Sequence, residues 1–293
     1  MKVAVLGANG QLGSDVCAAF VRNGDQVCGF THADIELTSA SSVEAGLAAA
    51  SAEFIVNTAA MHHVDKCEAD PVGAFQANAV GAMHVADWAQ RAGATVAYVS
   101  TDYVFDGKKE APYLEADLAA PLNAYGVTKL AGEHFTSAHT NRHFVLRVSA
   151  IYGHQPCRAK GGLNFVELML KLSRERDELR VVDDEFVTPT PTVQIAEQLV
   201  ALSRSNHYGL YHGTAEGSCS WYEFAREIFA LTGSKVRLEK ARPGEFPAKV
   251  PRPKYSVLEN CALKATQLNQ FTGWRDGLEQ YLHARVDAAV AAR

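Results

Sequence analysis

Tyr125 and Lys129 stand four residues apart, the spacing that puts two side chains on one face of a helix. A phenol beside an ammonium is a device for giving up a proton: the positive charge favours phenolate, lowers the tyrosine pKa and makes the hydroxyl a better acid near neutral pH. The amino-terminal turn of such a helix would favour phenolate by about a further 0.3 to 1 kcal/mol, a modest supplement to Lys129. Upstream, Ser100-Thr101-Asp102 places two hydroxyls and a carboxylate directly after the apolar run Thr95–Val99. A buried strand there would deliver these groups at its carboxyl end, where parallel sheets bind ligands.

A second candidate site lies at the start of the chain. Lys2–Leu6 reads as a strand and ends in Gly7-Ala8-Asn9-Gly10-Gln11-Leu12-Gly13, after which Val16, Cys17, Phe20 and Val21 recur at helical spacing. Strand, glycine turn and helix in that order suit a dinucleotide. Gly7 permits the tight turn, Gly10 lets the backbone approach a pyrophosphate, and Gly13 allows close packing of a helix whose amino terminus faces the phosphates. The next strand, Gln26–Phe30, ends in Phe30-Thr31-His32, with neither an acid for the adenosine ribose nor an arginine for a 2′-phosphate. Asp34 or Glu36 could reach the ribose, so NADH and NADPH both stay open as cofactors.

The remaining elements must hold these two sites together. Phe54–Asn57 is a buried strand opening into Thr58-Ala59-Ala60-Met61-His62-His63, small residues beside which a nicotinamide can lie. His62, His63, Asp65 and Cys67 match no zinc spacing, so no metal is expected. Pro71–Arg91 reads as one long helix packing Phe75, Ala79, Ala82, Val85, Ala86 and Ala89 on a sheet, with Asn78 either bonding a strand end or exposed. Asn123–Ala138 is the helix of Tyr125 and Lys129, its apolar stripe formed by Leu130, Ala131 and Phe135. His143–Val148 is the next strand. This alternation implies an α/β fold: a doubly wound parallel sheet, Rossmann-like, over residues 1–150. Residues 151–293 form a smaller α/β substrate-binding lobe. It takes helix 164–174, a rigid turn at Pro189–Thr192, helix 221–231, strand 235–238 and a terminal helix 280–293, while about 189–213 return to the first domain.

With 293 residues, 47% hydrophobic content and a net charge of -5, the chain can bury a large core and carries no basic stripe for nucleic acid. Its six cysteines include no Cys-x-x-Cys pair, no leader precedes the first strand and no apolar run reaches membrane-spanning length. No membrane association and a cytoplasmic location are expected.

Taken together, Gly7–Gly13, Ser100–Phe105 with Gly107, Pro121-Leu122-Asn123, Tyr125-Gly126 and Lys129-Leu130-Ala131-Gly132-Glu133 resemble the dTDP-4-dehydrorhamnose reductase family of extended short-chain dehydrogenase/reductases. Asn164-Phe165, Pro189-Thr190, Gly209–His212 and Arg252-Pro253 extend the resemblance nearly end to end. It implies reduction of the 4-keto group of a nucleotide-linked 6-deoxysugar, dTDP-4-dehydrorhamnose to dTDP-L-rhamnose, with NADPH or NADH. It also implies Thr101, Tyr125 and Lys129 as the catalytic set. Gly7, Gly10, Gln11, Leu12, Gly13, Ala60, Met61, His62, Tyr125 and Lys129 would contact cofactor, and Glu36-Leu37 would lie beside its adenine. Thr101, Asp102, Ala150, Asn164 and Arg252 would face the nucleotide-sugar substrate, and a homodimer is compatible with the family.

The chain departs from the family pattern at Ala150, where tryptophan usually walls the sugar, at Val187 for glycine, Glu185 for glutamine, His63 for threonine and Phe30 for an acid. These leave room for a nucleotide-sugar epimerase or another ketosugar reductase of the superfamily. A catalytically silent regulatory subunit resembling the β subunit of methionine adenosyltransferase is the non-enzyme alternative.

Overall fold

The computed structural model describes residues 1–157, 161–242 and 244–291. Strands and helices alternate from the start: β1 (Lys2–Leu6), α1 (Gln11–Arg22), β2 (Gln26–Phe30), α2 (Ala40–Ala50) and β3 (Phe54–Asn57). Then come α3 (Val64–Ala69), α4 (Pro71–Phe75), a π-helical segment Gln76–Val80, α5 (Gly81–Ala92), β4 (Thr95–Thr101), α6 (Ala124–His139) and β5 (His143–Val148). With Gly209–His212 the strands form a six-stranded parallel sheet in the order 209–212, β5, β4, β3, β1, β2.

Every residue of β3 and β4 is buried. Helices on both faces explain it, since a parallel strand covered on two sides has no solvent face to alternate toward. On one face Val16 and Phe20 of α1 and Ile195, Leu199 and Leu202 of helix Thr192–Ser203 pack against Val3, Val5, Val56 and Leu146. On the other, Val43 and Leu47 of α2 and Val85, Trp88 and Ala89 of α5 pack against Ala4, Leu6, Ile55 and Val96. A separate core joins Tyr152, Val166, Leu170, Phe224, Ile228, Trp274 and Leu278 in the second half of the chain.

Several elements differ from their sequence reading. The helix beginning at Pro71 is interrupted by the π turn at Gln76–Val80, and Phe75 is 36% exposed rather than packed on the sheet. The expected turn at Pro189–Thr192 contains a short strand, Thr190–Pro191, paired in parallel with Ile151–Tyr152. The buried face of α6 carries Gly126, Thr128, Lys129, Gly132, Glu133 and Thr136, while Leu130, Ala131 and Phe135 are half-buried at its side. Polar partners beneath the helix, described below, draw that face inward. The terminal helix starts at Trp274, ahead of the expected 280; residues 292–293 of the expected helix lie outside the described residues.

Candidate active site

The sheet order reverses between β1 and β3, and the crevice beyond their carboxyl ends is where open α/β sheets bind ligands. Gly7 opens it with φ 81, a left-handed conformation, and a Cβ there would lie 2.8 Å from Thr58 Oγ1. A Cβ on Gly13 would lie 2.1 Å from the Gly7 carbonyl oxygen, so α1 can cross the turn this closely only on glycine. Gly10 precedes α1 as an N-cap without a side-chain bond, so no side chain of the cap competes for the first amides of a helix whose buried start is Gln11, Leu12 and Gly13. This cradle fits the pyrophosphate of a dinucleotide.

Ala60, Met61 and His62 follow the carboxyl end of β3, the strand beside β1 in the sheet. Asn78 holds this segment: its Oδ1 accepts from Met61 N at 2.8 Å, and its Nδ2 donates to Met61 O at 2.9 Å and to Thr128 Oγ1 at 3.0 Å. The buried asparagine thus ties this segment to α6, bonding a loop beyond a strand end. The Glu36 carboxylate accepts from Thr38 and lies 3.3 Å from His32, and the Leu37 carbonyl meets His84. Gln11 donates to the carbonyls of Gly153 and Gln155.

Thr101 ends β4 and Tyr125 lies in the first turn of α6, capped by Asn123, whose Oδ1 accepts from Gly126 N. Asn123 Nδ2 also donates to Pro251 O, which places the exposed Arg252 loop at the start of this helix. The Tyr125 phenol lies beside Thr101 and packs edge-on to Tyr103, ring centroids 5.8 Å apart. Burial pushes the Tyr125 phenol above its ordinary pKa, with the Asp102 carboxylate pushing the same way and Thr101 opposing both. The direction is opposite to the one the Tyr-Lys spacing implies. Burying a phenolate costs more than Lys129 returns here, because Lys129 Nζ donates to Val99 O at 2.7 Å and faces the Tyr98 ring. Burial also lowers Lys129 to about 7.

The family profile for the RmlD substrate binding domain matches residues 1–286. The chain belongs to this family. It is 38% identical over 98% of its length to the Bacillus subtilis spore coat polysaccharide biosynthesis protein SpsK, covering 99% of that protein. It is 32% identical to dTDP-4-dehydrorhamnose reductase of Escherichia coli, over 97% of both chains. The crystal structure of dTDP-4-dehydrorhamnose reductase from Bacillus anthracis in complex with NADP superposes with a TM-score of 0.92 at 35% identity, covering 97% of this chain and 100% of that one. The protein is an NAD(P)H-dependent oxidoreductase with a Rossmann-like fold.

Two residues expected to face substrate point elsewhere. The Asp102 carboxylate turns inward, accepting from Thr101 at 3.0 Å, Ser149 at 2.9 Å and Ser256 at 2.5 Å, and burial raises its pKa against those bonds. Asn164 caps helix Phe165–Glu175 through Glu167 N and donates to Gly153 O and the Tyr281 hydroxyl, which uses its amide in full. Ala150 has φ 44 and turns the chain out of the sheet toward Ile151–Tyr152. Val187 is buried opposite Cys219 within the second lobe, away from solvent. Glu185 is half-buried, bonded by Trp221 and facing the charge of Arg252, with burial raising its pKa.

The sequence reading did not single out Tyr98, Arg147, Ser149 or Ser256, and it quoted Asn123 and Glu133 without a role. For Asn123 the signal was present: an asparagine directly before the first residue of a helical run is a preferred N-cap. The others act through contacts that no spacing along the chain announces.

Proposed function

We propose that this protein reduces the 4-keto group of a dTDP-linked 6-deoxysugar, in the first place dTDP-4-dehydrorhamnose to dTDP-L-rhamnose, in the cytoplasm. The observation that carries the reading is the meeting of Thr101, at the end of β4, with the Tyr125 phenol of α6, with Lys129 one turn along the same helix. The relatives named for this reaction and the solved complex with NADP support it.

A nicotinamide dinucleotide held by its pyrophosphate in the cradle would supply hydride to the carbonyl carbon. Gly7, Gly10, Gln11, Leu12 and Gly13 would hold the dinucleotide phosphates, Glu36 and Leu37 its adenosine end, and Ala60, Met61 and His62 the wall. Tyr125 keeps its proton until the carbonyl oxygen gains charge, then donates it, while Thr101 hydrogen-bonds the same oxygen. The raised pKa of the phenol makes it a fully protonated donor at rest. The Lys129 ammonium balances the phenolate left behind. Such general acid catalysis supplies about a hundred- to ten-thousandfold in rate. Arg252, held by Asn123 through Pro251, faces the nucleotide side of the substrate, and Ala150 leaves the sugar wall low.

Purified protein supplied with dTDP-, UDP- and GDP-linked 4-ketosugars and either NADH or NADPH should oxidise cofactor fastest with the dTDP sugar. No cofactor consumption with any of them sinks the proposal. Retention of NAD through purification with interconversion of sugar epimers would indicate the epimerase reading instead.

A further inference from the structure

Lys129 is 2% exposed, and its ammonium is held by two groups of one strand. Nζ donates to Val99 O at 2.7 Å and lies 3.9 Å from the centroid of the Tyr98 ring. The nearby carboxylate is Glu133, one turn further along α6; its charge favours the Lys129 ammonium, but its hydrogen bonds go elsewhere, accepted from Ser100 Oγ at 2.5 Å and from Arg147 Nε and Nη2 at 2.9 and 2.6 Å. The Tyr98 ring is itself clamped. Its hydroxyl donates to Asn78 O in the π-helical segment at 2.9 Å, and a Cβ on Gly132 would lie 2.2 Å from that oxygen, so α6 can close over it only with glycine there.

We infer that Tyr98 is a positioning residue for Lys129, its ring face holding the ammonium under the site while the π turn and Gly132 hold the ring. An ammonium has three N–H donors. With one on the Val99 carbonyl and one directed at the ring, the third is left for the reacting side of the site, where Tyr125 stands on the same helix face. The attraction of a cation to an aromatic face is strongest where water is excluded, and the ring takes the place that a carboxylate would fill. A ring can steady the charge without forming a competing ion pair, since Glu133 belongs to Arg147. The titratable and charged groups around this centre are Tyr125 and Glu133 on α6, Tyr98 on β4, Asp102 directly after it, and Arg147 on β5, with Tyr103 and Cys67 beside Tyr125.

The inference rests on the proposed reductase reading for its kinetic consequence, so its test includes a readout independent of turnover. The full chain, labelled with carbon-13 at lysine Cε, is titrated by NMR, with the Lys129 resonance assigned by its loss in Lys129→Met. Phenylalanines carrying zero to four ring fluorines, placed at position 98, keep the ring's shape while weakening its negative face. The Lys129 midpoint should fall stepwise with fluorine number, by about one pH unit across the series, and Tyr98→Phe should stay near the parent. The alkaline limb of kcat should fall with it, cofactor KM changing less. A midpoint that does not move with fluorination overturns the inference, whatever the enzyme's activity. Movement of the midpoint without turnover on any ketosugar would uphold the inference and count against the reductase reading alone.

Discussion

The Arg147 guanidinium grips the Glu133 carboxylate through two hydrogen bonds, joining β5 to α6 one helical turn beyond Lys129. Both side chains are buried, and Ser100, the register partner of Arg147 on β4, completes the cluster. The pair sets the height of α6 above the carboxyl ends of β4 and β5, and therefore the height of Tyr125 and Lys129 above Thr101.

Removing one partner should be far worse than removing both. Glu133→Ala leaves a buried guanidinium without its counter-charge and should cost about 3 to 5 kcal/mol of stability. The double change of Glu133 and Arg147 to methionine should recover a large part of that loss. Urea denaturation of the two single variants and the double variant measures it; a double-variant loss equal to the sum of the two single losses would show that the pair does not act as a unit.

Tyr125→Phe should lower kcat about a hundred- to ten-thousandfold while leaving dinucleotide affinity within a few-fold. The lost group is a proton donor, and the glycine cradle is built from residues 7–13. Steady-state kinetics beside a fluorescence titration with NADPH separates the two effects. A variant with parental kcat would overturn the assignment of Tyr125 as the acid.

Asn78→Leu should destabilise the fold by about 2 to 4 kcal/mol, because it strands the Met61 N–H and one hydrogen bond to its carbonyl with no partner of equal geometry. The same change frees the wall of Ala60, Met61 and His62, so cofactor KM should rise in whatever variant folds. Thermal unfolding with and without NADPH checks both; a rise in melting temperature would contradict it.

Lys129 gives stability a defined pH dependence. Its pKa falls from 10.5 to about 7 through burial, so the unfolded chain holds this proton more tightly than the folded one. Where the unfolded state binds more protons, stability rises with pH. The cost of burying the charged lysine is therefore complete below pH 7, shrinks as pH climbs from about 7 toward 10.5, and vanishes above. Against Lys129→Met, which has no such proton, the parent should gain relative stability between pH 7 and 9. Urea titrations at pH 6.5, 7.5 and 8.5 compare the two, and parallel curves would refute the depressed value.

What the chain determined by itself is local. The alternation of strands and helices follows from apolar runs and helical periodicity, the cradle from Gly7 and Gly13, where a Cβ would clash, and the shared face of Tyr125 and Lys129 from a four-residue step. These depend on sterics and period, which a sequence states directly. Tertiary structure decided where each polar group spends its bonds. Asp102 turns inward because Ser149 and Ser256 arrive from 47 and 154 residues away. α6 buries Lys129 and Glu133 rather than Leu130 and Phe135 because Val99, Tyr98, Ser100 and Arg147 lie beneath it. Tyr125 is raised rather than lowered because desolvation, which no spacing encodes, dominates and the Asp102 carboxylate adds to it.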